Sequence, residues 1–295
     1  MTKLKNWSTY KMEFKQNEEL TYYEVLERAS SFLIELGHSS FVPEWLMRER
    51  LGWTKTELVM HYRKPMPTQE INQFNKDFKA FLEGLPMQQI IGHEWFFDRK
   101  FKVTKDTLIP RPETEEWLDR VLSELPNQPL DIVDIGTGTG ILGITMKLEH
   151  KEAQVTLTDI SEGALTVATE NARLLDAEVT TKQGDLLEPL VGSTYDVILC
   201  NPPYISEDEI DVMDASVLEH EPKSALFADD DGLAIYKRLA NSIEPYLNPK
   251  ARIYLEIGYK QGPSVSNLFK EAFPNAKVIV WKDFNQNDRV VVIYL

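Results

Sequence analysis

From Asp131 onward the sequence predicts an α/β fold, a doubly wound and mostly parallel sheet. A small all-helical domain and a β-hairpin linker precede it. Three observations carry this reading. Apolar runs of five to eight residues alternate with segments of helical periodicity after Asp131. Glycines and acidic residues fall at the ends of those runs, as they do where a parallel sheet meets a ligand. Between Leu20 and Leu85 apolar residues recur every three or four positions, the helical spacing.

The boundaries follow from these patterns. Residues 1–86 form the helical domain, with the polar stretch 1–18 as an appendage; 87–106 form the linker and 107–295 the sheet domain. Val25, Leu26, Ala29, Phe32, Leu33 and Leu36 make one apolar face, and Gly37 is placed to end that helix. A second helix is predicted over 44–51, just after Pro43. Thr54 and Glu57 have capping-box spacing and open a third. Ile71, Phe74, Phe78 and Leu82 give residues 69–82 one apolar face. Trp95, Phe96 and Phe97 meet Phe101 and Val103 across a short polar turn, which predicts the hairpin. Strands are predicted over 131–135, 154–159, 178–183, 195–200, 251–257, 277–281 and 289–294. Helices fill the gaps at 141–150, 161–175, 232–247 and 262–273.

Composition narrows the function. Of 295 residues, 42% are hydrophobic and 27% charged, which excludes a disordered chain. The net charge is −15, the wrong sign for a protein that gains affinity by neutralising phosphates. Residues 1–90 carry 12 basic and 12 acidic side chains, so the whole imbalance falls in 91–295. Cys200 is the only cysteine, which excludes an intrachain disulfide and a thiolate zinc site. The five histidines lack ligand spacing, and no metal is expected. No apolar run approaches the ~20 residues of a membrane span, and the N-terminus lacks a signal-peptide pattern. A cytoplasmic monomer with no membrane and no direct nucleic-acid partner is expected.

The first sheet strand runs into Asp134-Ile-Gly-Thr-Gly-Thr-Gly140. Gly136, Gly138 and Gly140, spaced by Thr137 and Thr139, let backbone turn tightly and approach a ligand. The spacing is not the dinucleotide fingerprint, and no P-loop is present. A glycine turn also arises for packing alone. However, Asp159 ends the second strand, where it can accept from ribose hydroxyls, and Asp185 with Leu186 follows the third. A nucleoside ligand without a phosphate chain fits best, and S-adenosyl-L-methionine is the candidate.

The fourth strand ends in Asn201-Pro202-Pro203-Tyr204. Two prolines cannot continue a central strand, so the chain leaves the sheet in a stiff, extended form. The Asn201 side chain, which also borders the cofactor, and the Pro202 carbonyl could hold the hydrogens of a planar NH2 group, with Tyr204 stacked on it. The bland alternative is a strand-ending turn with a packed tyrosine. Cys200 reads as a buried thiol, since no histidine is placed as its base.

These residues resemble the release factor glutamine methyltransferases, a family of class I S-adenosylmethionine-dependent enzymes with a Rossmann-like sheet. The resemblance rests on Gln89-Ile-Ile-Gly92, Leu108-Ile-Pro-Arg-Pro-Glu-Thr-Glu115, the glycine loop, Gly184 to Leu190, and Asn201 to Ile205. It continues through Glu221-Pro222, Ala225-Leu-Phe227, Asp231-Gly232, Leu255 to Gly258, Gln261-Gly262 and Asp288 to Val291. The chain departs from the family at Pro249-Lys250 and Phe284-Asn-Gln286, both away from the expected site. The resemblance implies a substrate-recognition role for the helical domain. It also implies N5-methylation of the glutamine in the Gly-Gly-Gln motif of bacterial class 1 peptide chain release factors, with S-adenosyl-L-homocysteine as product. The residues themselves reach only methyl transfer to a planar nitrogen. A DNA adenine-N6 methyltransferase shares the tetrapeptide and is the main rival, opposed by the acidic charge. A non-catalytic cofactor-binding scaffold is a second rival. Arg111 and Glu113 are expected to order the domain junction or the substrate loop, with an ordinary interdomain salt bridge as the alternative. Residues 207–231 hold ten acidic side chains and one lysine, a solvated loop or a rim that steers a basic partner.

Overall fold

The computed structural model describes residues 19–295, so the appendage expected at 1–18 lies outside the described residues. The chain divides into two compact units, with the boundary between Gly92 and His93.

The smaller unit is helical. α1 (Tyr22–Glu35) begins at a capping box: Glu24 N–H donates to Thr21 Oγ1, and the Glu24 carboxylate accepts from Thr21 N–H. Leu36 caps its end and Gly37 takes φ +79° just beyond. α2 (Val42–Leu51) begins two residues before the expected start. Pro43 sits in its first turn, where a missing N–H breaks nothing. α3 (Lys55–His61) opens with the Thr54–Glu57 capping box, and α4 (Thr68–Leu82) buries Ile71, Phe74, Phe78 and Leu82. These join Val25, Leu33 and Leu58 in one apolar core. Arg50 makes a bidentate pair with buried Asp77, at 2.8 Å for both contacts.

The stretch expected to be a linker is split between the units. Residues 87–91 form a short helix, α5 (Met87–Ile91). The hairpin β1 (His93–Phe96) and β2 (Arg99–Lys102) belongs to the larger unit, because Phe96 and Phe101 are buried in that unit's core.

The sheet strands are β3 (Asp131–Ile135), β4 (Gln154–Asp159), β5 (Thr180–Gln183), β6 (Tyr195–Cys200), β7 (Leu247–Glu256), β8 (Lys277–Lys282) and β9 (Asp288–Tyr294). Their order across the sheet is β5-β4-β3-β6-β7-β9-β8, parallel from β5 to β7 and antiparallel at β9. The chain builds outward from β3 to β5 and then returns to the other side of β3. The order therefore reverses between β3 and β6, the position where open α/β sheets bind ligands. α7 (Ile141–Glu149) and α8 (Glu162–Leu174) follow β3 and β4.

Three elements depart from expectation. α6 (Pro112–Glu124) was not predicted, though Pro112, Glu113 and Glu115 occupy its first turn and Trp117, Leu118 and Val121 are buried. The helix expected over 232–247 is α12 (Ala234–Ser242); Pro245 lies in a 3₁₀ turn that ends it, and β7 starts at once. Between Ile205 and Leu233 run a 3₁₀ turn, two short helices, α9 (Ala215–His220) and α10 (Lys223–Leu226), and a single turn, α11 (Asp229–Gly232), in which Asp230 and Asp231 have left-handed and not helical backbone. Among the described residues, no helix is long and apolar enough to cross a membrane.

Candidate active site

A cavity of about 590 Å³ opens in the larger unit beyond the carboxyl ends of β3, β4 and β6. The glycine loop forms one wall. Gly136 and Gly138 have φ of +70° and +55°, and a Cβ on either would meet no atom within 4 Å, so both turn a bare face outward. Gly140 is different. A Cβ there would overlap Ile144, so this glycine serves the packing of α7 and does not line the cavity. Thr137 is tied to the sheet, its N–H donating to the Thr158 carbonyl at 2.9 Å. Thr139 is buried, and its carbonyl accepts from Asn171 Nδ2 at 2.9 Å.

Asp134 lies beneath this loop. Its Oδ2 accepts from Thr137 Oγ1 (2.6 Å) and from Gly143 N–H (3.0 Å), while its buried Oδ1 has no hydrogen-bond partner among the described residues. Burial pushes the carboxyl up to about 6. Asp159 supports the loop from the side, accepting from Gly138 N–H and Ser161 N–H, both at 2.9 Å. Burial raises its pKa as well. Asp185 lines the cavity next to Leu186, which is held at φ +49°, and pairs with Arg238 at 2.7 Å. Asp106, Asp159, Asp185, Glu207 and Asp229 line this space against Arg111 and Arg238. Two bare glycine faces and an acid-rich lining suit a nucleoside ligand that carries positive charge.

Asn201, Pro202 and Pro203 form another part of the wall. The Asn201 side-chain amide makes no hydrogen bond among the described residues and is available to a ligand. Tyr204 does not line the cavity. Its ring packs beside Gly258 and against the core, and burial drives its phenol pKa up. Cys200 is fully buried, and burial pushes its thiol well above the ordinary range, so it is no nucleophile at neutral pH. Arg111 pairs with Glu221 at 2.6 Å, and the second Glu221 oxygen accepts from Ile109 N–H at 2.9 Å. Among the described residues, no cluster of three side chains could ligate a metal.

Residues 24–92 match the family model of the PrmC N-terminal domain, and residues 119–235 match the Methyltransferase small domain. A release factor glutamine methyltransferase from Enterococcus faecalis is 41% identical over 271 residues, covering 92% of this chain and 98% of that protein. The protein of that name from Bacillus subtilis is 40% identical over 278 residues, covering 92% and 96%. The chain belongs to the release factor glutamine methyltransferase family. A solved methyltransferase from Pyrococcus furiosus shares the fold, with a TM-score of 0.50 and 19% identity over 67% of this chain and 89% of that one.

Membership makes the chain a methyl-transferring enzyme and its larger unit a class I methyltransferase fold. In this chain the structure brings Gly136, Thr137, Gly138, Thr139, Asp159, Asp185, Leu186, Asn201, Pro202 and Pro203 onto one cavity. Gly140 and Tyr204 stand behind the wall. Arg238 also lines the cavity but was not singled out as a site residue, and Glu221, behind the wall, holds the lining residue Arg111. Asp185 and Glu221 find their partners 53 and 110 residues away in sequence, beyond any local spacing rule.

Proposed function

We propose that this enzyme uses S-adenosyl-L-methionine to methylate the side-chain nitrogen of the glutamine in the Gly-Gly-Gln motif of class 1 peptide chain release factors. The observation that carries the reading is the Asn201 amide, unpartnered on the wall of an acid-lined cavity, in a chain about 41% identical to enzymes named for this reaction. Gly136 and Gly138 would hold the amino-acid end of the cofactor by backbone approach, Asp159 its ribose, and Asp185 with Leu186 its base. When bound, the cofactor supplies a methyl group on a cationic sulfur, which leaves without acid assistance.

An amide nitrogen is a poor nucleophile because its lone pair is delocalised. Asn201 Oδ1 and the Pro202 carbonyl accept its two N–H groups, fix its orientation and raise the electron density on nitrogen. Positioning of this kind can supply up to about 7–11 kcal/mol of the barrier. The diproline keeps both acceptors in place, since its φ angles are locked. The step has no role for an Asp or Glu base: once the methyl is on nitrogen, the cationic amide loses its proton to solvent water.

The direct test is mass spectrometry of a release factor incubated with enzyme and cofactor, where a gain of one methyl on the motif glutamine is expected. Asn201→Ala should lower turnover about 100-fold or more, the scale of losing one preorganised polar group. Cofactor affinity, checked by calorimetry, should be retained. Normal turnover by this variant sinks the assignment.

A further inference from the structure

Pro202 and Pro203 lack N–H groups, so the tetrapeptide cannot be pinned by a hydrogen-bond ladder of its own. Its geometry depends on anchors at the two ends. Upstream, Cys200 is held in β6 between β3 and β7. Downstream, the chain is gripped at Tyr204 and Ile205. Ile205 pairs with the next segment through its N–H to the Leu226 carbonyl and its carbonyl to Ala228 N–H, both at 3.0 Å. The Tyr204 carbonyl accepts from Gln261 Nε2 at 3.0 Å.

Gln261 uses its whole amide here. Nε2 also donates to the Asp231 carbonyl at 3.3 Å, and Oε1 accepts from Gly258 N–H at 3.0 Å. One side chain thus joins the tetrapeptide, the turn at Asp231 and the end of β7. The turn is built for this approach. Asp230 and Asp231 both adopt left-handed backbone, at φ +59° and +55°, and Gly232 follows at φ +78°. A Cβ at Gly232 would overlap the Tyr204 carbonyl oxygen, so only glycine lets the turn come this close.

From this geometry we propose that Gln261 is a positioning residue for methyl transfer, acting through the Tyr204 carbonyl to hold Asn201 and the Pro202 carbonyl in register. The proposal rests on the tetrapeptide gripping the substrate amide. Gln261 touches neither substrate nor cofactor in this role.

Two variants test it. Gln261→Glu keeps the shape and the acceptor for Gly258 but replaces both donations with repulsion between a carboxylate and two carbonyls. Gln261→Ala removes the bonds and leaves room for water. Turnover at saturating substrates should fall about tenfold in Gln261→Ala and about 100-fold in Gln261→Glu, the scale of a misplaced reacting group. Cofactor dissociation constants should stay within about threefold of the parent, below the ~1.4 kcal/mol of a tenfold change. A packing role predicts the reverse order, since the isosteric change disturbs packing least.

Asn201→Ala is measured alongside. Slow turnover by Asn201→Ala with normal turnover by both Gln261 variants overturns this inference and leaves the tetrapeptide reading intact. Normal turnover by Asn201→Ala overturns both. A milder effect of Glu than of Ala, or loss of cofactor binding in both variants, also overturns it, because Gln261 would then hold the fold and not the tetrapeptide.

Discussion

At the glycine loop itself, Asp134 and Asp159 find their partners within 21 residues, although Asp185 beyond it pairs with Arg238 across 53. Asp134 accepts from groups three and nine residues away, and Asp159 from groups two and 21 away. Around the tetrapeptide the partners are remote. Gln261 reaches Tyr204 across 57 positions, Arg111 reaches Glu221 across 110, and Thr114 reaches Glu256 across 142. One side of the cavity is a local backbone construction. The other is assembled by side chains from distant segments, because two prolines have removed the N–H groups a local construction would need.

Glu256 gives that contrast its largest expected effect. Its carboxylate is buried at the end of β7, and Oε2 accepts from Thr114 Oγ1 at 2.7 Å and Trp117 Nε1 at 2.8 Å. Its own carbonyl accepts from the Tyr236 hydroxyl at 2.6 Å. Replacing it with alanine strands two buried donors, each costing roughly 1–3 kcal/mol, so Glu256→Ala should lose about 3–4 kcal/mol in urea unfolding. A loss under about 1 kcal/mol would mean that remote partners do not hold this side together, and the contrast would fail.

The same contrast explains what could be read beforehand. β3, β4 and β6 lie where their apolar runs place them, and the capping boxes at Thr21 and Thr54 follow a three-residue rule. The glycine loop and Asp159 were legible because they sit at strand ends that periodicity locates. α6 went unread although its first turn carries a proline and two acids. Its buried face packs with residues far along the chain, and Trp117 finds its partner 139 positions on. Tyr204 was misplaced for a related reason. A Pro-Pro-Tyr sequence does not say which way the ring turns once the chain leaves the sheet; Gly258 and the core receive it.

A second prediction concerns pH and the local side. The folded Asp134 carboxyl sits at about 6, above the 3.8 of an unfolded aspartate. The folded state therefore binds the extra proton between those values. Its contribution to stability is fully present below about 3.8 and is lost as pH rises through about 6. Asp134→Asn does not titrate, so its stability deficit against the parent should shrink between about pH 4 and pH 7. At 1.36 kcal/mol per pH unit the swing is about 2–3 kcal/mol. Thermal or urea melts of both proteins across that range read it directly. A constant or widening deficit would show that Asp134 is ionised throughout, held by its local N–H and O–H donors against the cost of burial.

The smallest effect separates the two sides most sharply. Asp159 uses one oxygen for Gly138 N–H and the other for Ser161 N–H. An asparagine supplies a single acceptor oxygen, so Asp159→Asn must leave one of these backbone groups unpaired and also removes a negative charge from the wall. A hydrogen bond to a charged group is worth about 1.5–3 kcal/mol, and part of that is recovered by water in this open cavity, so cofactor affinity should fall roughly tenfold. Turnover at saturating cofactor should barely change, because the loop carries no part of the amide grip. Asn201→Ala should show the inverse, slow turnover with cofactor affinity kept. If Asp159→Asn instead slows turnover and spares affinity, the glycine loop positions the reacting methyl as well as binding its carrier, and a division of labour between locally built and remotely built walls would have to be abandoned.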